Sequence, residues 1–274
     1  MTDVLAPHAL HSGDALPAIG FGVYKVPSSE AERIVAAALE AGYRHIDTAQ
    51  VYGNEASVGR AIRAFRTSHP TERVWVTTKL WTDSWLDAKE SIASSAALLG
   101  PIDLMLLHAP GPVEGRAEAW AALEDAVDAG LVKNIGVSNF GEAHLDKLAR
   151  TARIRPSVNQ LELHPYLQRT ALVAACRARG IVVEAYSPLA KGALMGDPIV
   201  ARVAAKHGVS PARVCVRWSL QHGFVPLPKS ATPARIAENR DVSSFALDAE
   251  DMAALDALEC GRVTGWDPVT QHRV

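Results

Sequence analysis

Four polar side chains stand where short β-rich runs of this chain end, and three of them fit one kind of acid chemistry. Asp47 and Tyr52 follow the second run, and Lys79 ends the third. A tyrosine phenol has an ordinary pKa of about 10, and a neighbouring ammonium group lowers that pKa by stabilising the phenolate. A buried lysine in turn needs a counter-charge such as an aspartate. The three residues therefore predict a relay of Asp47, Lys79 and Tyr52 that delivers a proton.

The fourth residue, His108, ends the fourth β-rich run. An imidazole can orient or hydrogen-bond a substrate oxygen. The complete set can protonate a carbonyl oxygen on which negative charge develops, and it lacks the nucleophile that acyl transfer needs. Each residue alone has an ordinary structural explanation, as a solvated lysine, a packed tyrosine or a core histidine. Their coincidence at strand ends favours the chemical interpretation.

The elements that would position these residues alternate along the chain. Eight β-rich runs with intervening helical patterns imply a parallel sheet, and right-handed crossovers over this length close into an α/β fold, a (β/α)8 TIM barrel. We expect a single domain over residues 1–274, with an N-terminal hairpin at residues 6–19 and extra peripheral helices. The predicted strands are residues 18–23, 43–49, 74–80, 102–108, 132–138, 157–163, 181–186 and 224–228. The predicted helices are residues 30–41, 55–65, 87–99, 117–129, 142–151, 170–179, 198–207, 211–222 and 248–258, with a further helix from Thr232-Pro233 and N-caps at Ser28 and Asn54.

Side chains alternate between the two faces of a strand, and this alternation gives the four residues a direction. Asp47 shares a face with His45, and Lys79 shares one with Thr77. We therefore expect these side chains to point into the barrel. In such barrels, active residues lie at the carboxyl ends of the strands.

Composition and charge exclude several classes of protein. The chain has 274 residues and a formal net charge of −2, which does not favour a polyanion-binding surface for nucleic acid. Cys176, Cys215 and Cys260 form no C-x-x-C pair, so neither a disulfide framework nor a zinc ribbon is predicted. No basic signal-peptide start and no long apolar run are present, so we expect a cytoplasmic protein without membrane contact.

Seven segments, in register along the chain, resemble the aldo-keto reductase family. They are GYRHIDTA (42–49), YGNE (52–55), TTKLW (77–81), LLH (106–108), GVSNF (136–140), NQLELHP (159–165) and PKS (228–230). The resemblance covers residues 17–239 and is strongest to bacterial members of the 2,5-diketo-D-gluconate reductase type. It implies a monomeric, NADPH-dependent oxidoreductase that reduces small aldehydes and ketones to alcohols.

The resemblance also implies a role for each matching position. Tyr52 matches the general acid, Lys79 and Asp47 match the pair that lowers its pKa, and His108 matches the histidine that orients the carbonyl. The implied cofactor residues are Gly22, Val23, Ser138, Asn139, Gln160 and Tyr186 at the nicotinamide end, Ser187 and Leu189 at the pyrophosphate, and Lys229, Ser230, Arg235, Glu238 and Asn239 at the adenosine end.

The substrate pocket is expected to have walls from Tyr24, Trp81, the loop of residues 109–115 and the tail, with Trp266 covering the substrate. Many family members have a tryptophan after the catalytic histidine, whereas this chain has Ala109. We therefore expect an open pocket that binds small carbonyl compounds weakly and broadly.

A different nucleotide motif fails in this sequence. Gly20-Phe21-Gly22 begins like a Rossmann fingerprint, but Lys25 occupies the third glycine position and Pro27 follows. A phosphate is better placed at the start of the Thr232-Pro233 helix, beside Lys229 and Arg235. These two cations predict a preference for NADPH over NADH.

Two other functional classes remain open on the sequence. A metal-dependent barrel hydrolase would use His45, Asp47, His108 and His164 as ligands, although no metal site is predicted by the preferred interpretation. A non-catalytic NADPH-binding barrel is also compatible with the fold, because fold alone does not establish function. The four filled catalytic positions argue against it.

Overall fold

The β-rich runs of the sequence form eight parallel strands, each paired with its neighbours in chain order. The computed structural model describes residues 3–274. The predicted (β/α)8 barrel and N-terminal hairpin are confirmed, although every barrel strand except β7 is shorter than expected. The hairpin strands are β1 (His8–Ala9) and β2 (Ala15–Leu16). The barrel strands are β3 (Phe21–Gly22), β4 (His45–Asp47), β5 (Trp75–Leu80), β6 (Ile102–Leu107), β7 (Val132–Ser138), β8 (Val158–Glu162), β9 (Val182–Tyr186) and β10 (Val225–Leu227).

Helices surround the barrel because their apolar faces pack on the outward side chains of the strands. Helices α7 (Pro198–His207) and α8 (Pro211–Gln221) both lie in the long interval between β9 and β10, as predicted. The short helix α11 (Pro268–Gln271) was not predicted. Ser28 is the first helical residue of α1, and Pro27 holds the N-cap position expected for Ser28. The helices are α1 (Ser28–Glu40), α2 (Glu55–Ser68), α3 (Ala88–Leu99), α4 (Arg116–Asp128), α5 (Glu142–Leu148), α6 (Thr170–Ala178), α7 (Pro198–His207), α8 (Pro211–Gln221), α9 (Pro233–Arg240), α10 (Ala249–Asp256) and α11 (Pro268–Gln271).

The hairpin closes the amino-terminal end of the barrel. Leu10 and Leu16 pack on an interior apolar cluster with Trp75, Leu104 and Val158, which point inward from β5, β6 and β8. This cluster is separate from the larger core between strands and helices. One buried polar side chain at this end, Asn134, is hydrogen-bonded to Ser12 and Asp14 of the hairpin.

The barrel closes where its first and last strands meet. The amide of Gly20 donates to Pro226 O at 3.0 Å, and the amide of Gly22 donates to Pro228 O at 3.2 Å. A Cβ atom on Gly20 would lie 2.6 Å from His45 Nδ1, so a larger residue does not fit at this seam. The Gly20-Phe21-Gly22 segment is therefore a closing strand, which explains why the dinucleotide fingerprint fails.

Within residues 3–274, no helix combines the length and the hydrophobicity that crossing a bilayer requires.

The substitution Gly20→Ala should destabilise the barrel, because the added methyl group overlaps the His45 ring and the Leu227 side chain. Overpacking of this kind costs about 1–3 kcal/mol, so the urea midpoint should fall measurably. Gly196→Ala is the control, since a Cβ there meets no atom within 4 Å. Equal midpoints for the two variants would contradict the tight seam.

Candidate active site

A cavity of about 1130 Å³ opens at the carboxyl ends of the strands, where barrel enzymes hold their active residues. Most of the residues predicted from the sequence line it. From that set the lining residues are Gly22, Tyr24, Asp47, Tyr52, Trp81, His108, Ser138, Asn139, Gln160, Tyr186, Ser187, Leu189, Lys229, Ser230, Arg235, Glu238, Asn239 and Trp266. Val23, Lys79 and Ala109 are buried and do not line it.

Lys79 lies directly beneath the cavity floor and is fully buried. Its Nζ donates to Asp47 Oδ1 at 2.6 Å and to Thr48 O at 2.8 Å. The pairing of β4 with β5 sets Asp47 opposite Thr77, one strand repeat before Lys79, which brings the two charges together. The expected contact of Lys79 with Asp47 is thus present, and it satisfies a charge that would otherwise be costly to bury.

Tyr52 lies in a single 3-10 turn, Gln50–Tyr52, that follows β4. The Gln50 side chain holds this turn, because its Nε2 donates to Ser91 O and Ser95 Oγ on α3 while its Oε1 accepts from Trp81 N. The turn ends at Gly53, whose φ of 66° suits glycine. Contacts with two neighbouring segments, α3 and the residue after β5, therefore hold the turn that carries Tyr52 at the cavity wall.

The pKa of Tyr52 differs from the sequence expectation. Lys79 Nζ lies 5.1 Å from the Tyr52 ring centre, but burial and the Asp47 carboxylate raise the pKa of the phenol well above its usual value. The prediction of a lowered pKa is therefore wrong, because burial and the Asp47 carboxylate outweigh the nearby ammonium. The phenol therefore keeps its proton at neutral pH and has it available to donate.

His108 stands beside Tyr52 at the cavity wall. The His108 ring meets the Tyr52 ring edge-on at 5.7 Å and the Trp81 ring at 5.1 Å between centres. Burial, helped by the Lys79 charge, lowers the pKa of His108 well below its usual value, so the ring is neutral. Across the part of the chain that the structure describes, its Nδ1 has no hydrogen-bond partner. A neutral imidazole can donate one hydrogen bond to a substrate oxygen.

A polar wall formed by β7, β8 and β9 faces the same cavity. Asn139 Nδ2 donates to His108 O and to Ser138 Oγ, both at 3.0 Å. The Tyr186 hydroxyl donates to Asn139 Oδ1 at 2.9 Å, which fixes the ring plane of Tyr186. Asn139 adopts a φ of 64°, a left-handed conformation that asparagine tolerates better than most residues. This wall has the ordered amide and hydroxyl groups that recognise a planar amide-bearing ring.

The loop after β9 contains unusual backbone conformations. Ser187, Ala190 and Lys191 have φ values of 50°, 47° and 50°. Each such conformation costs about 1–3 kcal/mol in a residue other than glycine, and strain of this kind clusters at ligand sites. Lys229 and Arg235 are exposed at the far end of the cavity, beside the start of α9, where free backbone amides favour an anion.

The outer mouth of the cavity is mostly aromatic. Tyr24 and Trp266 are each 50% exposed, and Trp81 completes the rim. Ala109 is only 1% exposed, so the predicted contact between Ala109 and substrate is wrong. The cavity lining likewise contains no residue of the 109–115 loop. This loop packs closely on Trp85, since a Cβ on Gly111 would lie 2.6 Å from the Trp85 ring. An indole at position 109 would therefore disturb packing instead of filling the pocket.

Four charged residues at or beneath the cavity were not predicted from the sequence. Glu162 lines the cavity two residues after Gln160, and Glu184 is buried beneath it two residues before Tyr186. The same alternation that gave Lys79 its direction would have found both carboxyl groups. Lys25 and Lys191 also line the cavity, and loop positions of this kind carry no such signal.

The metal-dependent alternative finds no support in the arrangement of its histidines. His45 Nε2 contacts Thr77 Oγ1 at 2.9 Å, and His164 Nε2 contacts Glu162 Oε1 at 3.3 Å. Over residues 3–274, no three or more His, Cys, Asp or Glu side chains are grouped so as to hold a metal ion.

Replacing Lys79 by methionine should cost about 3–5 kcal/mol of unfolding free energy, because the Asp47 carboxylate is left buried and unpaired. The double variant Lys79→Met with Asp47→Asn should be more stable than Lys79→Met alone, as urea denaturation would show. Lys133→Met is the control, since Lys133 is half-exposed and its partner Asp103 also binds Arg73. A loss below 1 kcal/mol for Lys79→Met would contradict the buried ion pair.

Comparison with known proteins agrees with this geometry. The Aldo/keto reductase family profile matches residues 18–259. An aldo-keto reductase of Mycolicibacterium smegmatis is 42% identical over 266 residues, covering 95% of this chain and 96% of the relative. Methylglyoxal reductase DkgA of Yersinia pestis is 39% identical over 264 residues, covering 94% and 95%. The structure of a Gox0644 variant in complex with NADPH has a TM-score of 0.91 at 39% identity and covers 98% of this chain and 99% of its own. This chain belongs to the aldo/keto reductase family and is an oxidoreductase.

Proposed function

We propose that this protein reduces aldehydes and ketones to alcohols with NADPH, and that Tyr52 is the proton donor. One observation carries the proposal. A protonated phenol lies at the cavity wall above the buried pair of Lys79 and Asp47 and beside the neutral ring of His108. Filled catalytic positions of this kind favour an enzyme over a non-catalytic barrel.

The cavity has the size and polarity that NADPH requires. Its volume of about 1130 Å³ exceeds that of most small-molecule pockets. NADPH is bound in the structure of the Gox0644 variant, which supports the same cofactor here. Ser138, Asn139 and Gln160 would bind the nicotinamide carboxamide, and the Tyr186 ring would stack on the nicotinamide. Lys229 and Arg235 would bind the phosphate of the adenosine end, with Ser230, Glu238 and Asn239 beside them.

Bound NADPH supplies a hydride to the carbonyl carbon. Tyr52 then donates its proton to the carbonyl oxygen, so that an alcohol forms and a phenolate remains on the protein. Lys79, with its ammonium 5.1 Å from the ring centre, stabilises that phenolate as the charge develops. His108 orients the carbonyl oxygen by donating a hydrogen bond from its neutral ring. The lysine thus acts on the charge formed during the reaction, although the resting phenol has a raised pKa.

The mouth of the cavity supports a broad specificity for small carbonyl compounds. Tyr24, Trp81 and Trp266 provide flat apolar walls, and half of the Tyr24 and Trp266 surfaces remains in contact with water. Little substrate surface is desolvated in such a site, so binding should be weak and unselective. The Yersinia pestis relative is named for methylglyoxal, a small dicarbonyl compound, which supports this substrate class.

The monomeric state and the cytoplasmic location stay proposals that rest on the sequence.

Tyr52→Phe should lower kcat for an unactivated aldehyde by about 10²–10⁴-fold, because the proton donor is lost. The Kd of NADPH, measured by fluorescence titration, should change less than threefold. Tyr43→Phe is the matched control, since its hydroxyl is buried without a partner in the described chain and lies away from the cavity. Normal turnover by Tyr52→Phe would exclude this residue as the acid.

NADPH should bind at least tenfold more tightly than NADH, because Lys229 and Arg235 can form charge-assisted hydrogen bonds with the 2′-phosphate. Lys229→Ala should bring the two Kd values closer together, because it weakens the binding of NADPH and leaves the binding of NADH unchanged. Lys89→Ala, which removes an exposed lysine paired with Asp125, should leave the ratio as it is. Equal Kd values for the two cofactors in the wild-type protein would refute the preference.

A further inference from the structure

A second buried carboxyl group lies beneath the proposed cofactor wall. Glu184 points into the barrel from β9, two residues before Tyr186, and is fully buried. The pairing of β8 with β9 sets it opposite Gln160. The mechanism proposed above assigns Glu184 no role.

Both hydrogens of the Gln160 amide nitrogen are directed to carboxyl groups. Gln160 Nε2 donates to Asp47 Oδ2 at 2.8 Å and to Glu184 Oε2 at 2.7 Å. A primary amide has two donor hydrogens and one acceptor oxygen, so its nitrogen has nothing left to offer the cavity. Gln160 lines the cavity, and its Oε1 has no hydrogen-bond partner in the chain from residue 3 onward. The only group that Gln160 can present to a ligand is therefore an acceptor.

We propose that Glu184 is a positioning residue for the cofactor: by accepting one N–H of Gln160, it fixes the amide so that only the carbonyl oxygen faces the cavity. This inference rests on the proposed function, because its ligand is the nicotinamide carboxamide of NADPH. The outward carbonyl oxygen selects the NH₂ group of that carboxamide and so fixes which way the nicotinamide amide is turned.

Asp47 alone would hold the amide less firmly. With a single acceptor the Gln160 side chain can pivot about its bond to Asp47, and one buried N–H is left without a partner. A pivoted amide can turn an N–H toward the NH₂ group of the carboxamide, where two donors oppose each other. Two acceptors at 2.8 and 2.7 Å on different strands exclude that rotation.

The charges around Glu184 favour its neutral form. Burial and the Asp47 carboxylate raise the pKa of Glu184 to about 8, and the opposing effects of the Gln160 hydrogen bond and the Lys79 charge are smaller. His45 Nε2 lies 3.8 Å from Glu184 Oε1, and burial lowers the pKa of His45 to about 3, so this ring adds no charge. On the other side, β10 places Val225 opposite Glu184 and contributes only apolar residues. A protonated carboxyl group still accepts through its carbonyl oxygen.

The test compares two substitutions of similar size. Glu184→Gln keeps an acceptor for the Gln160 amide, whereas Glu184→Met removes it. Glu184→Met should raise the Kd of NADPH by about fivefold to tenfold, and Glu184→Gln should stay within twofold of wild type. Adenosine 2′,5′-bisphosphate, which lacks the nicotinamide, should bind all three proteins equally.

A matched control removes a different buried carboxyl group. Glu124 accepts from Trp120 Nε1 and from the Arg153 and Ile154 amides, far from the cavity lining. Glu124→Met should leave the Kd of NADPH unchanged even if it lowers stability. An unchanged NADPH Kd in Glu184→Met, or an equal loss for both ligands, would overturn the positioning role. Failure of wild type to bind NADPH would instead overturn the proposed function.

A measurement on the cofactor-free protein keeps the proposal testable if Glu184→Met does not fold. Glu184 ionises near its ordinary pKa in the unfolded chain but only at about pH 8 in the folded protein. Wild type should therefore lose stability relative to Glu184→Gln as pH rises from about 5 to 8, with the ratio of their unfolding constants changing by up to tenfold per pH unit. A ratio that is independent of pH would show that Glu184 is not held beside Asp47 and Gln160.

Discussion

A fully buried lysine ammonium group needs a counter-charge from the protein. The centre of this molecule is arranged around that requirement. Lys79 Nζ donates to the Asp47 carboxylate and to Thr48 O. The second oxygen of Asp47 then accepts from Gln160, and the remaining hydrogen of Gln160 goes to Glu184. One buried charge thus organises side chains from two pairs of neighbouring strands, β4 with β5 and β8 with β9. These hydrogen bonds fix the side chains that connect the floor of the cavity with the wall proposed to bind the cofactor.

The same requirement bears on why the Tyr52 phenol is a weak acid. Burial and the Asp47 carboxylate keep the Tyr52 phenol protonated, and the Lys79 ammonium, which is paired with Asp47, offsets only part of their effect. In the proposed reaction the negative charge left on Tyr52 has the Lys79 ammonium 5.1 Å from its ring centre, which limits the cost of forming that charge. His108, kept neutral by burial, adds a donor without adding a second positive charge.

Much of this arrangement was predictable because barrels obey strong local rules. Strand alternation set the direction of Lys79 and Asp47, and it would also have shown that Ala109, the neighbour of His108, must point away from the cavity. That error came from following sequence adjacency instead of alternation. The direction of the Tyr52 pKa shift could not be predicted, because it depends first on how deeply the phenol is buried and then on its distance from the Asp47 carboxylate. Alternation would also have directed Glu184 into the barrel, but its contact with Gln160 depends on a distance between side chains that the sequence does not contain.

The closure of the barrel through Gly20 and Gly22 has a consequence for how the chain folds. The first barrel strand pairs with β4 on one side. The hydrogen bonds on its other side go to Pro226 and Pro228, which lie near the other end of the chain. During synthesis, which proceeds from the amino terminus, the growing sheet must keep an open edge until these residues have left the ribosome. Contacts between such distant parts of a chain form slowly, and exposed strand edges invite association with other chains. The growing sheet therefore keeps an edge on which another chain can pair until its last barrel strand is available.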